Sequence, residues 1–236
     1  MKVRYLIKFT KEADIKFISH LDLMRTLQRI IRRAELPVEY SKGFNPHMNM
    51  SIAQPLSVGM YSSGEYMDIE LKNLLNEDYI LKILNENAPS SIKFIAVKLV
   101  PETNNGKKIP QSMALIDAAK YIIKMKYDNT VNLKYEIEEL LKEEKWEILK
   151  KSKSGEKNIN IKEFIKNFKY EIKENGIEII CIIACGSKKN LSSDLLAQFI
   201  INNTSYANKN AFIDIKREEL YVEKGSEIIP LIDFIK

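Results

Sequence analysis

KVRYLIKFTKEADIKFISHLDLMRTLQRIIRRAELP, residues 2–37, decides the fold class. Val3, Tyr5, Ile7 and Phe9 alternate with Lys2, Arg4 and Lys8, the period-two pattern of a strand with one face on a core. The period then changes. After Ser19 the apolar residues Leu23, Leu27, Ile30 and Ala34, joined by Met24 and Ile31, recur at helical spacing. Ser19 and Asp22 have the spacing of a capping box, and Pro37 limits the far end of the helix.

Working outward, turn residues gather around Gly43 and Asn45-Pro46, and strands are predicted near 47–53 and, after a turn at Gly64, over 65–71. A helix over 77–87 and a strand over 92–100 complete the order β-α-β-β-α-β. PETNNGKKIP (101–110) reads as a linker. Beyond it the pattern predicts a strand over 117–127, a helix over 131–144 and strands over 145–151 and 157–161. A hairpin of 168–174 and 177–185 through Asn175-Gly176, a helix over 192–202 and a strand over 211–222 follow, with a short apolar tail, PLIDFI. The expectation is an α+β protein of tandem ferredoxin-like units with antiparallel sheets. Its domains would be 1–101 and 112–236, the second with an inserted hairpin, joined by a linker at 102–111. The halves share a pattern of elements but no sequence repeat.

At 236 residues and 45 % apolar, the chain can bury a real core. Its longest apolar runs, such as IEIICIIAC (177–185), are too short to cross a bilayer, and the opening residues alternate like a strand instead of reading as a signal peptide. A cytoplasmic protein without membrane association is expected. Cys181 and Cys185, four apart in an apolar strand, suit neither a zinc nor an iron–sulfur site. They read as buried free thiols, and neither a metal nor a cofactor is expected.

Charge is concentrated at the front. Residues 1–50 hold ten basic and five acidic side chains, whereas residues 51–236 hold 27 of each. Four of the six arginines, Arg25, Arg29, Arg32 and Arg33, stand in the first helix of a chain that otherwise uses 31 lysines. Helical pitch puts them on one face. A guanidinium grips phosphate or carboxylate through two parallel hydrogen bonds, which an ammonium cannot do. With a pI near 8.9, a basic face toward nucleic acid is a natural reading.

The only two histidines, His20 and His47, flank this helix. His20 follows the Ser19 cap, where free N–H groups can hold an anion and the helix dipole disfavours imidazolium. Such a histidine suits a general base or a phosphate donor, as it also suits packing against a sheet edge. In SKGFNPHMNMS (41–51) an extended chain turns Met48, Met50 and Ile52 to the core. His47, Asn49 and Ser51 then form a polar strip beside Lys42 and Asn45. A third candidate is CGSKKNLSSDLL (185–196), where Lys188 and Lys189 precede a helix capped by Ser192 or Ser193. It lacks the second glycine and the Lys-Ser/Thr ending of a nucleotide P-loop. Gly-x-Ser-x-Gly, His-Glu-x-x-His and dinucleotide fingerprints are absent from the sequence, as is a Cys-x-x-x-Cys-x-x-Cys cluster.

Residues 17–71, FISHLDLMRTLQRIIRRAELPVEYSKGFNPHMNMSIAQPLSVGMYSSGEYMDIEL, resemble the uncharacterised radical-SAM-linked domain family, more loosely matched through 150–165 and 184–196. Members stand alone or are fused behind a radical SAM enzyme. The resemblance implies a prokaryotic protein with a radical SAM partner and supplies no reaction. The architecture is also similar to that of metal-independent CRISPR repeat-processing endoribonucleases, with His20 at the position to match, but their glycine-rich loop near the C-terminus is missing.

Three functional expectations follow. One is an accessory protein that binds tRNA or rRNA through Arg25, Arg29, Arg32, Arg33, Lys42, Asn45, Asn49, Lys188 and Lys189. A second is a metal-independent ribonuclease with His20 and His47 as acid and base. The third is an interaction module docking on the radical SAM enzyme. Geometrically, His20, His47 and the Lys42–Asn45 turn are expected to line one pocket that Arg25 and Arg29 extend. Leu23, Leu27, Ile30, Met48, Met50 and Ile52 are expected to pack beneath it.

Overall fold

A computed structural model describes residues 2–104, 107–152 and 155–235. Contacts gather the chain into two units, residues 1–117 with 217–236 and residues 118–216. The first holds β1 (Val3–Lys11), α1 (His20–Arg33), β2 (Met50–Ile52), β3 (Tyr61–Leu71), α2 (Glu77–Glu86) and β4 (Phe94–Val100), then the short β5 (Thr103–Asn104) and β6 (Lys107–Lys108). Strand β1 lies between β3 and β4, antiparallel to both, with Tyr5 opposite Ile69 and Leu99. β2 joins β3 with Ser51 opposite Asp68.

Odd-numbered positions of β1 and β3 explain where the helices go. Tyr5, Ile7, Phe9, Met67 and Ile69 share one buried cluster with Leu23, Leu27, Ile30 and Ile31 of α1 and Ile80 and Leu84 of α2. Both helices therefore cover the same sheet face. Ser19 Oγ accepts the Asp22 N–H at 3.2 Å to start α1. After Ala34, Glu35 at φ +51° carries the chain out of the helix.

The second unit contains β7 (Ala118–Lys126), α3 (Leu133–Lys142), β8 (Glu147–Ser152), β9 (Gly155–Asn160), β10 (Ile165–Lys173), β11 (Gly176–Ala184) and α4 (Ser193–Asn202). β11 is central, antiparallel to β10 and β7, and β8 pairs with β9. Trp146 is buried against Phe199 at 5.2 Å and Phe168 at 5.8 Å, and its indole N–H donates to Leu140 O at 2.8 Å. That bond satisfies the polar end of the largest side chain in this core. Cys181 and Cys185 are buried and in no disulfide, and burial pushes the Cys181 thiol up to about 12.

The chain closes with β12 (Asp214–Lys224), β13 (Glu227–Pro230) and α5 (Leu231–Phe234). From Arg217 onward it belongs with the first unit. There it changes the reading of the lysine-bearing side of β1, which the alternation left to solvent. Leu6 and Thr10 are buried on that side, and Lys11, past an irregularity in register after Phe9, is buried with its Nζ donating to Lys16 O at 3.0 Å and Ile18 O at 3.4 Å. The charges survive burial by pairing: Lys8 Nζ donates to Glu219 Oε2 at 2.5 Å, and Tyr66 Oη donates to the other oxygen at 2.6 Å. Arg217 forks onto Glu65 at 2.8 and 2.5 Å, with both side chains 1 % exposed.

Two stretches differ from their expected form for related reasons. Gly64 lies within β3 and not in a turn before it, because a Cβ there would stand 2.4 Å from Glu218 O, where β12 runs alongside. Residues 102–111, expected as a linker, include the β5–β6 pair and are tied down at their end. Arg4 donates to Ile109 O at 2.9 Å, and the Ser112 N–H donates to Asp68 Oδ2 at 2.8 Å. The expected second domain of 112–236 is thus divided by contacts, 112–117 and 217–236 grouping with the first unit. The mixed architecture, with few helices and a mostly antiparallel sheet, is compatible with the α+β class. Among the described residues no helix is long and apolar enough to cross a membrane.

Candidate nucleic-acid interface

The apolar stripe of α1 fixes where its arginines point. With Leu23, Leu27, Ile30 and Ile31 buried, Arg25, Arg29, Arg32 and Arg33 all fall on the exposed side. They are not equivalent. Arg33 donates to Asn87 O at 2.6 Å, which ties the end of α1 to the end of α2. Arg25 donates to Asp22 at 3.1 Å in a fully solvated pair, weak and open to exchange for a phosphate. The Ser19 hydroxyl, then Arg25, hold the Asp22 carboxyl below the usual carboxylate range. Arg29 and Arg32 are exposed, and their guanidinium groups make no hydrogen bond or ion pair among the described residues.

His20 is the first residue of α1 and is half-buried; His47 is exposed in the loop that precedes β2. That loop is a closed hairpin. Tyr40 bridges Met48, the Ser41 N–H donates to His47 O at 2.8 Å, and the His47 N–H donates to Ser41 Oγ at 2.9 Å. Lys42, Gly43, Phe44, Asn45 and Pro46 form its exposed tip, with Gly43 at φ +128°, where a side chain is strained. Met48 and Ile52 pack with Leu23, Leu27 and Ile30, and Met50 lies at the margin of the same cluster.

The polar strip divides. His47 stays with the hairpin, whereas Asn49 and Ser51 line an open cleft of about 340 Å³ with Arg4, Asp68, Glu70 and Gln111. Asn49 Nδ2 donates to Glu70 Oε2 at 2.9 Å. The amide is therefore engaged in the fold and less available to RNA than an exposed loop residue. Burial raises the Asp68 carboxyl above its ordinary value, against the two bonds it accepts from Ser112. Neither histidine belongs to this cleft. Lys188 and Lys189 lie exposed in the second unit, between β11 and α4, where Ser192 caps the helix by accepting the Leu195 N–H at 3.4 Å.

Sequence reasoning missed the cleft and the buried ion pairs. A signal was present: of the two arginines outside α1, Arg217 is held in the interior and Arg4 is half-buried at the cleft, where a guanidinium can satisfy several acceptors at once.

The family model described as "Uncharacterized protein conserved in bacteria", DUF2344, matches residues 4–193, and the chain belongs to that family. No curated protein matches it. Among solved structures, the "Crystal Structure of an Unknown Protein from Galdieria sulphuraria" is similar over 92 % of this chain and 98 % of that one, at 10 % identity and a TM-score of 0.27. A likeness at that score carries no argument about the site.

Proposed function

We propose that this DUF2344 member is a cytoplasmic RNA-binding accessory protein that presents a structured RNA, of the tRNA or rRNA kind, to a radical SAM enzyme. The observation that carries the RNA part is the exposed face of α1, where the Arg29 and Arg32 guanidinium groups make no hydrogen bond or ion pair among the described residues, Arg29 acting on Asp22 only through its charge, and Arg25 is held only by that solvated carboxylate. Unpaired guanidinium groups on a rigid helix are ready to exchange water for phosphate at small entropic cost. The closed hairpin adds Lys42 and Asn45 at an exposed tip. The radical SAM partner rests on the resemblance of residues 17–71 and would accept the RNA after this protein has oriented it. The strand order β2-β3-β1-β4 with both helices on one face supports a ferredoxin-like first unit, and the antiparallel β10-β11-β7 sheet with α3 and α4 supports its recurrence in the second.

The test is salt-dependent binding to bulk tRNA. Replacing Arg25, Arg29 and Arg32 by Gln, while keeping Arg33 for its bond to Asn87, removes up to three phosphate contacts. The slope of log K against log salt should then fall by up to about 2 for contacts to unpaired strands and nearly 3 for contacts to duplex, at roughly 0.7 and 0.9 per contact. Unchanged affinity and slope in that variant reject the reading.

A further inference from the structure

Among the described residues Phe44 is the most exposed large apolar side chain, at 112 % of its reference accessibility. Exposing a phenyl ring forgoes the burial that favours folding. The ring has no ring or cation contact among the described residues, in contrast to exposed Phe17, which Lys16 Nζ approaches at 5.5 Å. It is also not on a loose loop. Hydrogen bonds between Ser41 and His47 and the Tyr40–Met48 bridge close the hairpin beneath it, and Met48 anchors the returning strand in the core. The fold thus projects an aromatic ring on a short, stiff stem.

What surrounds the ring selects its occupant. Lys42 and His47 flank it, Asn45 follows it, and residues 40–64 contain neither Asp nor Glu. The tip itself thus carries no negative side chain, and the carboxylates of Glu39 and Glu70 stand at the base of the hairpin beside Asn49. An aromatic face beside cationic and amide donors is the combination that stacks an unpaired nucleobase while holding its phosphate. A protein pocket for Phe44 would need no such freedom from carboxylates.

We infer that the hairpin tip is a base-stacking finger: Phe44 stacks on an unpaired base, and Lys42 and His47 contact the adjoining phosphates, so the RNA bound here presents a single-stranded segment. The inference rests on the RNA-binding reading and specifies the kind of RNA. It is tested with one short RNA strand, free and annealed to its complement, against wild type, Phe44→Ala, Phe44→Trp and the Arg25/Arg29/Arg32→Gln variant. Phe44→Ala should weaken binding to the free strand by about 5- to 150-fold, the range that 1–3 kcal/mol per stacked base converts to. The salt slope should stay unchanged, because no charge is lost. Phe44→Trp should retain binding, and its new exposed indole should be quenched by the free strand. The duplex should be insensitive to position 44.

Wild-type affinity of Phe44→Ala for the free strand overturns the inference, as does an equal loss on duplex. If the arginine variant loses affinity while Phe44→Ala does not, stacking fails and the RNA reading stands. If wild type binds neither RNA at low salt, both fail, and a role for Phe44 as a plug for a protein pocket takes their place.

Discussion

Removing the Arg217 guanidinium should be among the most destabilising single changes in the first unit. Arg217 and Glu65 are each 1 % exposed and joined by a two-toothed ion pair, and Arg217 also donates to Gln54 O at 2.6 Å. Arg217→Met keeps the volume of the stem but leaves a carboxylate without its fork and a carbonyl without its donor. Breaking a buried pair from one side costs about 3–5 kcal/mol. The nearby Lys11 amine sets the lower end: burial lowers its pKa, yet its interaction with Glu65 favours the charged form, so it supplies part of the missing charge. A cost near 3 kcal/mol is a large share of the roughly 5–15 kcal/mol that holds a domain together. Urea unfolding followed by circular dichroism measures it, with the slope checked for constancy. Glu65→Leu should cost a similar amount by itself, because Arg217 and Lys11 then face each other. The Glu65→Leu/Arg217→Met double variant should recover most of the loss, since an apolar pair of similar volume replaces an ion pair at little net cost. A single variant that costs under about 1 kcal/mol, or a double variant as unstable as the two singles added, refutes the reasoning.

Asp68→Asn tests the raised carboxyl of the cleft. Because the folded value lies above the ordinary one, the native chain holds more protons than the unfolded chain between the two values. Wild-type stability relative to Asp68→Asn should therefore fall as pH rises through that window and then level off; a rise would show that the Ser112 hydrogen bonds outweigh burial. Leu27→Ala removes a fully buried side chain beneath the arginine face and should cost about 2–5 kcal/mol by thermal unfolding, against little change for Arg29→Gln. Total RNA incubated with the protein in EDTA should remain intact on a denaturing gel. Cleavage that His20→Ala abolishes would turn the reading toward a metal-independent ribonuclease.

Much of the architecture could be read before any coordinates because each element advertises its period. The switch at Ser19 from two to 3.6 residues placed β1 and α1 within a residue or two of their observed ends. The second face of the β1–β3 sheet was illegible for a physical reason. Lys8 and Arg4 look like solvent residues when only local sequence is considered, and the groups they bond lie more than a hundred or two hundred residues away, at Ile109 and in Glu219. Period reports a neighbour in the same element; it says nothing of a partner brought back by topology. Rarity reports something else. In a chain that uses lysine for ordinary surface charge, each arginine marks a demand for forked donation. Arg217 answers a buried acceptor in the interior, Arg4 answers acceptors at the cleft, Arg33 answers a helix end, and Arg25 answers a carboxylate in water. That leaves Arg29 and Arg32, whose forks make no hydrogen bond or ion pair in the described chain, Arg29 acting on Asp22 only through its charge. The same economy that explains the other four is what makes an external anion the natural complement of these two.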